Sequence, residues 1–141
     1  MIYKLRKIYG NKDTQWIYNV RFNVPSELEV DIASQERPKD RYVIFRASDV
    51  LYTSIEQGAL LGDYEFEGDA YPMPCVSEVI DSPMVQEFSR DKEARYSSLM
   101  VFVEPAVTKH FVIFGEDRYV QTLFNGEYEI DHRMRELYLE S

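Results

Sequence analysis

The sequence has very little cysteine and no long apolar run. Its single cysteine, Cys75, excludes an intramolecular disulfide and fits a reducing compartment. No stretch approaches the roughly 18 apolar residues of a membrane-spanning helix. Residues 1–12 lack the apolar core of a signal peptide. The sequence therefore predicts a cytoplasmic protein that makes no use of a membrane.

Positive charge is missing from the middle of the chain. No lysine, arginine or histidine occurs from Ala47 to Ser89, a segment called the base-free block below. It holds nine acids: Asp49, Glu56, Asp63, Glu65, Glu67, Asp69, Glu78, Asp81 and Glu87. The whole chain has 25 acids against 16 lysines and arginines, a net charge of −9. An uncompensated block of one sign repels nucleic acid and attracts basic partners, so we expect no direct nucleic-acid binding.

The motifs of common enzyme and metal sites are also missing. The six glycines form no phosphate-binding loop, and no G-x-S-x-G motif occurs. Two histidines and one cysteine are too few for a structural zinc site unless carboxylates contribute. We therefore predict no catalytic residue, no metal site and no cofactor, although the absence of motifs leaves an enzyme open.

Aromatic residues are abundant, which indicates a folded chain. Eleven tyrosines, eight phenylalanines and one tryptophan make up 14% of the 141 residues. Disordered acidic chains lack such residues. The length is that of one domain, so residues 1–141 are expected to form a single globular unit.

Short apolar runs with period two predict six to eight strands. Residues 2–9 and 16–24 are expected to form a hairpin around a polar turn, and 110–114 pairs with 119–124 across a four-residue loop. Further strands are expected at the following ranges: 28–32, 42–46, 99–103 and the residues after Asn125-Gly126.

Helix signals are fewer. Ser82-Pro83 predicts a helix that runs to about Lys92, with Met84, Val85 and Phe88 as its buried stripe. Ser48 caps a second helix from Asp49, or else that segment is a strand, and the last ten residues are expected to form a short helix. The predicted fold class is α+β, a mainly antiparallel sheet of six to eight short strands with one to three short helices.

The candidate partner-binding site lies inside the base-free block. Four acids alternate with two aromatic residues and a third aromatic follows, a segment called the acidic strip below: Asp63, Tyr64, Glu65, Phe66, Glu67, Asp69 and Tyr71. On an extended strand the acids lie on one face and the aromatics on the other. Such a row offers carboxylates to a basic partner, and its spacing does not fit an EF-hand.

Three further residues, Cys75, His110 and His132, have side chains that commonly take part in catalysis. Cys75 and His110 would form a nucleophile–base pair only if the fold brings them within hydrogen-bond reach. His132 follows Asp131 directly, and neighbours on a helix do not face one another. None of the three carries a local catalytic signature.

The charge pattern favours a non-enzymatic domain that docks on a basic protein through an acidic and aromatic face, as an inhibitor or immunity-type protein does. One alternative is a small enzyme or ligand-binding domain with a pocket of aromatics and carboxylates. Another is a structural homodimer that pairs through the strands between Phe111 and Phe124.

Overall fold

The computed structural model describes residues 2–10, 16–23, 26–33, 41–57, 63–68, 74–90, 103–116 and 118–134. These residues form ten strands and one helix. The strands are β1 Ile2–Gly10, β2 Trp16–Asn23, β3 Glu27–Ala33, β4 Arg41–Ala47, β5 Val50–Gln57, β6 Asp63–Phe66, β7 Pro74–Ile80, β8 Lys109–Phe114, β9 Arg118–Phe124 and β10 Tyr128–Met134. The helix, α1, spans Pro83–Arg90.

The strands form two sheets. One has six strands in the order β5-β9-β8-β7-β1-β6, and the other has four in the order β10-β4-β3-β2. Every described pairing is antiparallel except that of β1 with β6. The described chain is thus sheet-rich and mainly antiparallel with one short helix, in broad agreement with the predicted class.

The main core lies between the two sheets. Leu28, Val30 and Phe45 of the small sheet pack with Phe111 and Phe124 of the large one, and all five side chains are fully buried. Alternate residues of each strand point into this layer because side chains alternate across a sheet. Two sheets packed face to face in this way bury apolar side-chain surface, and that burial stabilises the fold.

The helix packs on the opposite, outer face of the six-stranded sheet. Ser82 caps it by accepting the N–H of Val85 at 3.1 Å, and Pro83 is its first residue. Val85 is buried against Val103 and Leu123, with Met84 and Phe88 beside it. The predicted start and stripe are confirmed; the helix ends at Arg90, and Lys92 lies outside the described residues.

The predicted hairpin of the first two strands is wrong. β1 belongs to the large sheet, where Leu5 pairs with Val79 of β7 and Phe66 of β6, whereas β2 pairs with β3 in the small sheet. Alternation identifies a strand but does not select its partner. A register shift between Ile17 and Asn19 also explains why Ile17 broke the pattern, since a bulge turns it into the core.

The predicted helix from Asp49 is a strand, as the alternative interpretation allowed. β5 pairs with β9 from Val50 to Gln57. Its β-branched and aromatic residues suit a half-buried sheet position. Ser48 caps no helix; its Oγ accepts the N–H of Glu127 at 3.0 Å. Seven of the ten described strands fall on predicted ranges, and β5, β6 and β7 are additional, so the described residues hold more than the expected six to eight strands.

The β8–β9 hairpin is confirmed to within one residue, and it is interior to the large sheet. Because both of its strands already pair with neighbours, this hairpin has no free edge through which a homodimer could form. Within the described residues the sheet edges are β5, β6, β10 and β2. The C-terminal segment continues as a strand to Met134 rather than starting a helix, because β10 pairs with β4 along its length. Residues 99–102 and 135–141 lie outside the described ranges.

Gly126 sits where the chain leaves the large sheet for the small one. A Cβ added there would lie 2.2 Å from Ser48 Oγ and 2.6 Å from Ser48 O.

Gly126→Ala should lower the free energy of unfolding by about 1–3 kcal/mol, because the overlap forces the backbone apart. Chemical denaturation measures this. Glu127→Ala is the matched control, since it alters an exposed side chain of the same turn and should stay within about 0.5 kcal/mol; equal effects would contradict the steric explanation.

Candidate functional site

The acidic strip divides between packing and solvent. Tyr64 and Phe66 of β6 are half-buried against the cluster of Leu5 and Phe114, while Glu65 and Glu67 are exposed. The predicted alternation is thus present in β6. The aromatic half of the strip, however, fills a core rather than presenting free rings.

The remaining members of the strip are less defined. The backbone of Asp63 belongs to β6, but its side chain is not described. Asp69 and Tyr71 lie outside the described residues. Arg6 of β1 approaches Glu67 at 3.9 Å and Glu78 at 3.3 Å, so the strip borders a positive charge supplied from elsewhere in the chain.

A second group of acids lies on the outward face of the four-stranded sheet. There two arginines, Arg21 and Arg46, lie among four carboxylates: Glu29, Asp31, Glu129 and Asp131. The N···O distances are between 2.9 and 3.1 Å.

The charged groups of this network form ion pairs mainly with one another. The hydrogen bond from Arg46 to Glu29, reinforced by Asp131, raises the pKa of Arg46. Burial alone would raise the pKa of Glu29, but hydrogen bonds from both arginines outweigh it and the pKa lies below its ordinary value. Each of the four carboxylates is paired with an arginine, although the carboxylates outnumber the arginines by two.

The six-stranded sheet curls toward its outer face. The rings of Tyr64 on β6 and Phe114 on β8 are 5.9 Å apart although three strand spacings separate them. Tyr3 on β1 and His110 on β8 are 5.3 Å apart across two spacings. Neighbouring strands lie about 4.8 Å apart in a flat sheet. Side chains that lean toward one another close part of these gaps, and the contact across three spacings indicates that the sheet also bends, so this face is a shallow trough lined by aromatic residues.

A cluster of phenols and carboxylates lies in this trough. We call it the phenol–carboxylate cluster, and its members are Tyr3, Tyr52, Tyr119, Glu56 and Glu87. The Tyr119 hydroxyl donates a hydrogen bond to the Glu56 carboxylate. Tyr52 packs edge-to-face on Phe88 of α1. Strands β1, β5 and β9 and the helix thus each contribute to one site.

The pKa values of two tyrosines in the cluster are shifted first by burial and then by neighbouring acidic groups. Burial, with Glu56 as hydrogen-bond acceptor and neighbouring charge, raises the pKa of Tyr119 to about 12. Burial also raises the pKa of Tyr3, helped by Tyr52, Glu56 and Glu87. Within the described residues no lysine or arginine contributes to either shift. The cluster is therefore suited to a cationic group.

His110 lies beside the cluster and is almost completely buried. Its Nε2 lies 2.9 Å from Gln121 Oε1, and its Nδ1 lies 2.7 Å from Ser82 Oγ. An amide oxygen only accepts, so Nε2 carries the hydrogen and Nδ1 accepts from the serine hydroxyl. Burial lowers the pKa of His110 to about 4, although the bond to Gln121 opposes it, and the imidazole is neutral at pH 7.

Two buried hydroxyls on the large sheet have no hydrogen-bond partner among the described residues, Ser54 Oγ and Ser77 Oγ. Ser54 pairs across strands with Gln121, and Ser77 with Val112, so both lie in the row that crosses the floor of the trough. Unsatisfied buried polar groups are uncommon. They add hydrogen-bonding capacity to this face.

The pairing of Cys75 with His110, which the sequence does not favour, lies outside the described side chains, because Cys75 is on β7 but its side chain is not described. The same holds for the side chain of His132 on β10. Among the side chains that are described, no group of three or more His, Cys, Asp or Glu could hold a metal ion.

No protein-family model, curated protein or solved structure matches this chain. Of the described residues, no helix has the length and apolar character to cross a membrane.

Sequence reasoning missed most of the cluster. Glu56 and Glu87 were noted only as members of the base-free block, and Tyr3 and Tyr119 only as strand residues. No local signal connects them, since they meet through the pairing of β5 with β9 and the curl of the sheet. The sequence indicates that Ser82 caps a helix, but it gives no sign that Ser82 bonds to His110.

The buried neutral His110 predicts an acid-sensitive fold. Its pKa is about 6.5 when unfolded and about 4 when folded, so the unfolded state takes up the proton first. The free energy of unfolding should therefore fall as the pH drops below about 6.5, with a total loss of about 3 kcal/mol from this group complete near pH 4.

Chemical denaturation between pH 7.5 and 4 measures this loss. His110→Gln provides the comparison, because it keeps the carboxylates that also titrate. The variant should show a shallower fall in stability over this range. Parallel curves for the two proteins would contradict the assignment of His110 as a buried neutral group.

Proposed function

We propose that this protein is a binding domain that docks on a basic partner protein through the phenol–carboxylate cluster. The observation that carries the proposal is the bond from Tyr119 to Glu56 amid Tyr3, Tyr52 and Glu87. Aromatic faces attract ammonium and guanidinium groups, and carboxylates bind them through charge-assisted hydrogen bonds. A lysine or arginine side chain of the partner fits both features.

The arrangement of exposure supports the same proposal. Glu56 and Glu87 are exposed, whereas Tyr3 and Tyr52 are half-buried and Tyr119 is buried. Carboxylates at a rim steer an incoming cation, and rings beneath them supply contact area. An inhibitor or immunity-type role is one form such docking takes.

The acidic strip takes a secondary place in this proposal. Tyr64 packs on Phe114, which lies opposite Tyr119, so β6 borders the trough that holds the cluster. Glu65 and Glu67 add negative charge at that border. We propose that the strip contributes long-range attraction and that the cluster makes the contact.

A small enzyme or ligand-binding domain is the second candidate. The convergence of three tyrosines and Glu56 beside His110 on one curled face favours it.

Cytoplasmic localisation also remains a prediction, consistent with the sequence.

An arginine hexapeptide tests the docking proposal. It should bind at low salt, and its affinity should fall as salt rises, because exposed charges are screened. Glu56→Gln should weaken binding about five- to tenfold, equivalent to about 1 kcal/mol. Fluorescence anisotropy measures both effects.

Glu127→Gln is the matched control for this experiment. It removes the same charge from an exposed position on another part of the surface and should change the affinity less than twofold. If both variants weaken binding equally, only net charge matters and the cluster is not the docking site. Affinity that does not respond to salt would also contradict the proposal.

A further inference from the structure

A cavity of about 550 Å³ opens where β7 ends and α1 begins. The turn Pro105–Val107 forms its opposite wall, and Ser82 and His110 both line it. Its volume is in the range of sites for small molecules. The cavity is not part of the phenol–carboxylate cluster, so it raises a separate question of function.

Ser82 and His110 lie side by side in the lining of the cavity, in the geometry of a nucleophile and its base. The serine Oγ lies 2.7 Å from Nδ1, and Gln121 holds the far nitrogen of the ring at 2.9 Å. A nucleophile bonded to a base that a third group orients is the arrangement of covalent catalysis. Because burial keeps the imidazole neutral, its Nδ1 lone pair is available at neutral pH.

The backbone around Ser82 carries a second, independent sign. Asp81 has a φ of 47°, in the left-handed region that non-glycine residues seldom adopt. The segment is therefore a sharp strand-to-helix turn, and it places Ser82 in the lining of the cavity. Capping of α1 requires only the bond from Val85 to Ser82, and it does not explain the contact with His110.

We propose that Ser82 is a nucleophile for acyl transfer from small uncharged esters, with His110 as the base and Gln121 as a positioning residue. The charges that line the cavity balance, since Arg6 and Lys109 face Glu78 and Asp81. The walls between them include apolar side chains such as Val85 and Val107. A neutral acyl group suits such a lining. The proposal goes beyond the docking function and does not depend on it.

The reaction balances with these groups alone. Ser82 Oγ attacks the ester carbonyl while Nδ1 of His110 takes the hydroxyl proton. The new Oγ–C bond forms, the ester C–O bond breaks, and the imidazolium returns the proton to the leaving oxygen. Water then attacks the acyl-serine with Nδ1 again as base, which releases the acid and restores the hydroxyl. The Gln121 oxygen accepts from Nε2 throughout and stabilises the imidazolium.

Acylation by p-nitrophenyl acetate tests the proposal. Peptide mass spectrometry should find acetyl on Ser82 of the folded protein at a level at least tenfold above that on Ser89, the matched serine of the same helix. Release of p-nitrophenolate should fall about 100-fold or more in His110→Gln, the usual contribution of a general base.

Ser82→Asn is the preferred second variant, because asparagine preserves the helix cap but has no nucleophilic oxygen. It should retain the circular dichroism of the wild type and lose the phenolate burst. Acetyl found equally on Ser82 and Ser89, or no acetyl on Ser82 of the folded protein, would overturn the proposal. An unchanged rate in a folded His110→Gln variant would overturn the role of the base.

Discussion

Burial of the β8–β9 hairpin on both faces is the constraint on which the rest of the structure depends. Every residue from His110 to Phe114 and from Tyr119 to Phe124 is buried. One face packs against the small sheet, and the other lies under α1 and within the curl of the large sheet. A hairpin covered on both sides holds its neighbours in place, and it fixes the positions of β5 and β7 that pair with it.

Such burial forces the polar residues of the hairpin to bond with one another. His110 bonds to Gln121 and Ser82, and Thr122 bonds to Thr53. Ser82 and Thr53 come from a helix end and a strand that the hairpin positions, whereas Gln121 lies within the hairpin itself. Because unpaired buried polar groups are costly, these bonds specify the register of the sheet. The two bonds of His110 place an imidazole and a serine side by side on the outer face of the large sheet.

Features fixed by a few adjacent residues could be predicted from the sequence. Ser82-Pro83 marked the helix start, and the alternation of residues 110–124 marked the hairpin. Features fixed by distant pairing could not be. The regular spacing of Leu51 and Ile55 fits a helix as well as a strand, and β9 decides between them. The cluster could not be predicted for the same reason, since Tyr3 on β1 and Glu56 on β5 come within electrostatic range only in the folded sheet.

We propose that the phenol–carboxylate cluster receives a cationic group. Nuclear magnetic resonance with the tyrosine rings labelled tests this by titration with an arginine peptide at low salt. We expect the largest shifts at Tyr3, Tyr52 and Tyr119 and little change at Tyr128, which lies on the small sheet. Shifts spread evenly over the tyrosines, or largest at Tyr128, would contradict it.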